Sequence, residues 1–165
     1  MLREISAGGV VVRPAPEGWQ VAVIQPQSES VASRKSDKKG HSKQVLALPK
    51  GLIDAGEKPT ETAVREVKEE TGLNAKILKK LADIKYVYVR SWGDKQRVFK
   101  IVTFYLLLYE SGPIDDVAQE MRIEVKQAQW IPIEEAEEKL AYRVERDVMR
   151  MAREELKSLK LEAQP

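Results

Sequence analysis

The chain has 165 residues, of which 42% are hydrophobic and 33% charged, with a net charge of +2 and no cysteine. The length suits one domain with a proper core, read as residues 1–165. The absence of cysteine excludes disulfides, thiolate catalysis and Cys-ligated zinc, and the small net charge gives no strong pull toward nucleic acid. No apolar run is long enough to span a membrane, and Met1-Leu2-Arg3-Glu4 has no signal-peptide core. The expectation is a cytoplasmic protein, monomeric or homodimeric, with no membrane and no stable nucleic-acid partner.

Ile5 to Arg13 contains Val10-Val11-Val12, a β-branched run that predicts a buried strand. Gly8-Gly9 marks either a bulge or a close approach to the backbone. Pro14 to Gly18 is a turn, and Trp19 to Gln25 is the returning strand of a hairpin. Residues 26–44 interleave serine with lysine and arginine, without periodicity. They read as a flexible basic loop, or as a flap for an anionic substrate. The one histidine, His41, falls there as an exposed loop residue. Val45 to Lys50 leads into the next segment, where Lys50 is either a phosphate contact or an ordinary loop lysine.

Gly51 to Leu73 reads as loop, helix and sharp stop. Pro59 suits a first helical turn, and Gly72 suits the left-handed residue after a helix. At about 100° per residue, Glu69 lies about −60° and Glu70 about +40° from Glu66, so three carboxylates stack on one face. Val64, Val67 and Thr71 form the expected buried stripe. The acidic face is either solvated or a set of hard oxygen ligands for Mg²⁺ or Mn²⁺.

Ala75 to Val89 and Gln96 to Tyr109 predict two strands joined around Ser91 to Lys95. The second is the most apolar in the chain and should be interior. Arg122 to Ile131 reads as a further strand. C-terminal helices follow over 134–161, with Val144, Val148, Met151 and Leu156 at helical spacing, both taken as structural. Strands, a helix, strands and then helices give an α/β fold with a mixed sheet.

The Gly51–Leu73 run resembles the Nudix box. Gly51, Glu57, Arg65, Glu66, Val67, Glu69, Glu70, Gly72 and Leu73 fill its defined positions without a gap, and the Leu-Pro-Lys-Gly lead-in is common in that family. The resemblance implies the family's α/β/α sandwich with a loop-helix-loop catalytic motif. It also implies metal-dependent hydrolysis of a nucleoside diphosphate linked to another moiety. Glu66, Glu69, Glu70 and the Gly51 carbonyl match metal-ligand positions, with Glu69 and Glu66 also counted as catalytic. Glu57 and Arg65 match a pair that braces the loop. Glu124, six residues before Trp130, resembles a further acidic site residue; Glu120 competes with it, and Asp115 and Asp116 are outsiders.

The box does not name the substrate. Tyr88, 15 residues after Leu73, and Lys100 to Tyr105 resemble features of the diadenosine polyphosphate hydrolases. Arg97 and Lys100 are candidate phosphate contacts. Tyr86, Tyr88, Trp92 and Phe104 are candidate stacking residues, or else simply fill the hairpin. Diphosphoinositol polyphosphates, oxidised nucleotides and ADP-ribose are alternative substrates. A non-catalytic nucleotide-binding module is the rival from another class, disfavoured because every box carboxylate is present.

Overall fold

The computed structural model describes residues 1–27, 44–91 and 93–159. The expectations for His41, Trp92 and most of the 26–44 loop lie outside the described residues. Strands β1 (Leu2–Ala15) and β2 (Gly18–Pro26) form the first hairpin, and β4 (Asn74–Val89) and β5 (Arg97–Ser111) the second. A short β3 (Lys50–Leu52) precedes helix α1 (Pro59–Thr71). A 3-10 helix (Gln119–Ile123), β6 (Val125–Pro132), α2 (Ile133–Lys139) and α3 (Arg143–Ser158) complete the chain. The sheet has six strands in the order β4-β5-β1-β2-β6, with β3 pairing β1. It is mixed, because β1 runs parallel to β5 and antiparallel to β2 and β3.

Strand alternation assigns the two faces. Successive side chains of β1 point to opposite sides, and both sides are buried. Val10 and Val12 pack with Ile133 and Ala136 of α2 and with Val148, Met149 and Ala152 of α3. Ala7 and Val11 pack with Ala63 and Val67 of α1. The molecule is therefore an α/β/α sandwich. Each fully buried Val, Ile or Met among them contributes about 1.5–3 kcal/mol. Among the described residues no helix is long and apolar enough to cross a membrane.

The feature that places the site is a wedge. β1 pairs β2 only through Val12 to Ala15, while Ser6 to Gly8 pair β3 instead. The segment from Ala47 to Leu52 enters the opening, bridging Ile24 on one side and taking a hydrogen bond from the Gly9 amide to the Pro49 carbonyl at 3.1 Å on the other. Gly8 permits this close approach. An ideal Cβ there would lie 2.4 Å from the Pro49 carbonyl oxygen and 2.6 Å from Lys50 Cβ, so any larger residue would expel the segment.

Three expectations change. The strand predicted from Arg122 begins at Val125, because Arg122 folds back onto Asp115. Its guanidinium donates to Asp115 Oδ1 at 2.8 Å and to the Asp115 carbonyl at 2.7 Å, closing a compact corner. The buried stripe of the last helix is Val148, Met149, Ala152 and Leu156, while Val144 and Met151 are exposed. On α1 the buried residues are Thr62, Ala63, Glu66, Val67, Glu70 and Thr71, and Val64 is only half-buried. Two of the three stacked carboxylates thus lie on the packed side of the helix, which removes the solvated-face reading for them.

Candidate active site

Helix α1 is punctuated as its sequence requires. The Glu61 carboxylate accepts from the Lys58 amide at 2.9 Å, and Pro59 occupies the first turn. Gly72 adopts φ 84°, and its amide closes on the Lys68 carbonyl at 2.9 Å. With its ends held, the helix presents a continuous row of side chains toward β3.

Arg65 is the hub of that row. Its Nε and Nη2 donate to the two oxygens of Glu57 at 2.7 and 2.9 Å, a planar fork matched to a carboxylate. Nη1 donates to Glu66 at 2.9 Å and to Glu69 at 3.2 Å, and Nη2 also reaches the Leu52 carbonyl at 3.0 Å. One side chain therefore ties the loop, β3 and the acidic helix together. Glu57 is held down to about 2, first by the Arg65 hydrogen bonds and then by Thr62.

Because Glu57 titrates in the fold below its ordinary value of 4.5, its stabilising contribution is complete above that value and lost as pH falls toward about 2. The gap in urea midpoint between wild type and Glu57→Gln should be widest near neutral pH and close in strong acid. A gap that stays constant down the acid range would mean the Glu57 charge is not what binds Arg65.

Glu66 and Glu70 are only 7% and 6% exposed, whereas the Glu69 side chain is 38% exposed. Glu70 accepts from the Lys50 amide at 2.9 Å. Burial pushes its carboxyl up to about 8; the Lys50 amide opposes this, and the charges of Glu66 and Glu124 add to it. Glu66 is also raised, first by burial and then by Glu69, with Arg65 opposing. The Glu66 carboxylate lies directly on Gly51, where an ideal Cβ would come within 2.1 Å of its Cδ.

Two cavities open here. The acidic one, about 420 Å³, is lined by Gly51, Glu66, Glu70 and Glu124 among others. The second, about 630 Å³ and mostly apolar, is walled by Ile84, Tyr86, Tyr88, Val102, Phe104 and Tyr142. Lys50, Lys100 and Tyr142 line both, so the cavities meet at two ammonium groups and a phenol ring. Burial lowers Lys100, Lys50 lowers it further, and Glu4, 4.0 Å away, opposes. Burial alone would lower Lys50, but the charge and hydrogen bond of Glu145 leave it raised.

The profile of the NUDIX domain family matches residues 14–152. The chain belongs to this family. A protein of Mycobacterium tuberculosis (strain CDC 1551 / Oshkosh) named MutT4 is 36% identical over 155 residues. The match covers 93% of this chain and 56% of that relative, so this chain spans little more than half its length. Among solved structures, a C. elegans Ap4A hydrolase binary complex has a TM-score of 0.69 at 18% identity, covering 94% of this chain and 98% of that one. The NUDIX domain of Shewanella oneidensis NrtR, complexed with ADP ribose, has a TM-score of 0.63 at 17% identity over 94% and 90% of the two chains. These structural likenesses concern the fold.

Within the Nudix fold, the structure gathers Lys50, Gly51, Glu66, Glu70, Lys100 and Glu124 around the acidic cavity. Glu69, Arg65 and Glu57 do not line it; Arg65 links Glu69 and Glu57 to Glu66, which does. Tyr88 lines the apolar cavity, and its hydroxyl donates to Glu4 at 2.5 Å. Phe104 is 1% exposed and belongs to the core, so it forms the cavity's base rather than an open stacking surface. Arg97 lines neither cavity; it is exposed at the start of β5, opposite Val89. Glu120 is exposed in the 3-10 helix, and Asp115 is engaged by Arg122 and the Ala128 amide. Glu124 caps the 3-10 helix instead of standing in a strand.

Sequence reasoning missed Tyr142 and Glu145, which come from the end taken as purely structural. A signal existed for Glu145. It lies three and four residues before Val148 and Met149, a charge on the apolar stripe of α3.

The donor set fits a hard divalent cation in chemistry: carboxylates of Glu66 and Glu70, the more exposed Glu69, and backbone brought close by Gly51. Glu66 is engaged by Arg65 and Glu70 by the Lys50 amide, and a cation between these two buried acids would offset their mutual repulsion. Among the described residues, however, no three acidic or histidine groups are already drawn into a metal-binding cluster. Arg65 instead holds the carboxylates of Glu66 and Glu69.

Proposed function

We propose that this chain hydrolyses a phosphoanhydride bond in a nucleotide-linked substrate with the help of Mg²⁺, for which Mn²⁺ can substitute. The proposed substrate is a (di)nucleoside polyphosphate such as diadenosine tetraphosphate. One observation carries this reading: an acidic cavity and an aromatic, apolar cavity meet at Lys50 and Lys100. A phosphate chain laid over the two lysines would bring its phosphorus atoms to the carboxylates and its base to Tyr86, Tyr88 and Tyr142.

In this reading Glu66, Glu69, Glu70 and the Gly51 carbonyl hold the metal ion. When bound, the ion neutralises phosphate charge and lowers the pKa of a water. Glu57 acts through Arg65, which fixes Glu66, Glu69 and the Leu52 carbonyl relative to one another. Lys50 and Lys100 bind phosphate oxygens. Glu124, on the cavity wall, takes the proton of the attacking water. A water oxygen–phosphorus bond forms, the bond to the bridging oxygen breaks, and the departing phosphate keeps that oxygen and the bonding pair.

A diphosphoinositol polyphosphate fits less well. Lys50 is already paired with Glu145, and Lys100 lies near Glu4, so the described cavity offers few unpaired cations to a very dense polyanion. The test is a panel of diadenosine tetraphosphate, 8-oxo-dGTP, ADP-ribose and a diphosphoinositol phosphate, each with and without Mg²⁺. Turnover should require Mg²⁺ and be fastest on diadenosine tetraphosphate. Metal-independent turnover, or none on any compound, would defeat the hydrolase reading; a different preferred compound would defeat the substrate choice alone.

A further inference from the structure

Of the charged side chains among the described residues, Glu145 is the most deeply buried, at 3% exposure. It stands in the first turn of α3, far in sequence from the Nudix box. Its Oε1 accepts from the Leu48 amide at 2.8 Å and its Oε2 from the Lys50 ammonium at 3.1 Å. The same junction is stitched once more, by a bridge between Leu46 and Leu140 in which the Ala141 amide donates to the Leu46 carbonyl at 2.9 Å. The α2–α3 connection is thus fastened to the segment that wedges open β1 and β2 and delivers Lys50 and Gly51 to the acidic cavity.

Stability alone does not call for this arrangement. A buried ion pair is often no better than apolar side chains of equal volume, because both charges lose their water. What the pair supplies is a fixed position for a long, flexible ammonium. Lys50 is faced by Glu145 and the Tyr142 ring from the α3 side, Tyr86 from β4, Lys100 from β5 and Glu70 from α1. Glu145 is the side chain in hydrogen-bond contact with its ammonium.

We infer that Glu145 is a positioning residue: it holds the Lys50 ammonium and the Leu48–Lys50 backbone where substrate phosphate meets the acidic wall, which makes α3 part of the site. This rests on the reading of Lys50 as a phosphate contact. Its consequence separates binding from turnover. Without the Glu145 charge, Lys50 is freer and its full charge is open to phosphate, so ground-state affinity is tightened. The loss appears in the transition state, where the ammonium is no longer held in place.

The experiment is a double-mutant cycle of Glu145→Gln and Lys50→Met. Glutamine keeps the volume and an acceptor for the Leu48 amide, so the fold survives, and thermal denaturation checks this. On diadenosine tetraphosphate with Mg²⁺, Glu145→Gln should lower kcat by about tenfold without raising KM, and in the Lys50→Met background its effect should shrink to under about twofold. A role in general stability would instead lower activity equally in both backgrounds, and that result, or no effect in either, overturns the inference. Calorimetry with α,β-methylene-ADP and Mg²⁺ runs the same cycle without turnover, so it remains readable if the hydrolase reading fails. Tighter binding by Glu145→Gln that vanishes in the Lys50→Met background supports the inference. Additive effects, or no binding by the wild type, overturn it.

Discussion

Glu66→Gln is expected to lower turnover by about three orders of magnitude while leaving the unfolding midpoint unchanged or slightly higher. The two halves of this expectation have one cause. Glu66 is buried against Gly51, and its charge is opposed by lost hydration and by the neighbouring acids. A neutral glutamine of the same shape can still accept from Arg65, which now donates to Glu66 Oε1 at 2.9 Å, and it relieves the desolvation of a carboxylate. The fold therefore loses little, while the hard oxygen donor that phosphate chemistry needs is gone. Steady-state kinetics and a thermal melt on the same preparation decide the matter. Full turnover would remove Glu66 from the ligand set, and a collapsed melt would make it a structural acid.

Gly51→Ala is expected to cut turnover by about a hundredfold with a stability change within about 1 kcal/mol. Backbone strain is not the reason. An ideal Cβ at residue 51 would stand 2.1 Å from Glu66 Cδ and 2.2 and 2.5 Å from its two oxygens. Contacts that short cannot persist, and the group that can yield is the end of the Glu66 side chain. The methyl group would therefore displace the carboxylate and leave the core in place. Kinetics combined with a melt test this, and an alanine variant with wild-type turnover would show that the carboxylate position does not matter.

Both substitutions act at a contact that no local pattern reveals. Gly51 was legible as a special position, but the family pattern supplied that, and the side chain lying on it came from the fold. The helix was more fully legible. Pro59 and Gly72 punctuate it, and the three- and four-residue spacing of Glu66, Glu69 and Glu70 follows from helical geometry alone. The choice of buried side was not. Val64 looked like an anchor, yet Ala63 and Val67 contact the sheet and Val64 is half-buried, because β1 and β5 present a face that a small residue fits closely. At Gly9 the approach is tight enough that an added Cβ would meet Leu107 at 2.5 Å and Val67 at 3.1 Å.

The outer ends of the chain divide the same way. Runs of β-branched and apolar residues bounded by turns identified β1, β2, β4 and β5, since such composition belongs to each strand's own residues. The three-residue β3 was invisible, as its pairing with Ser6 to Gly8 depends on where β1 and β2 part. The strand start at Arg122 failed because a guanidinium prefers a carboxylate seven residues back to a place in the ladder.

What the sequence determined by itself is most of the elements and the chemistry of the box: helix ends, the long strands, the stacked acids and family membership. These follow from interactions between near neighbours along the chain, or from a motif that is contiguous. Only the tertiary structure decided that Glu66 and Glu70 are buried, that Arg65 also reaches the Leu52 carbonyl, and that Glu145 reaches Lys50 across 95 residues. Those contacts arise from sheet order and from the wedge between β1 and β2. Many segments must pack together before either exists.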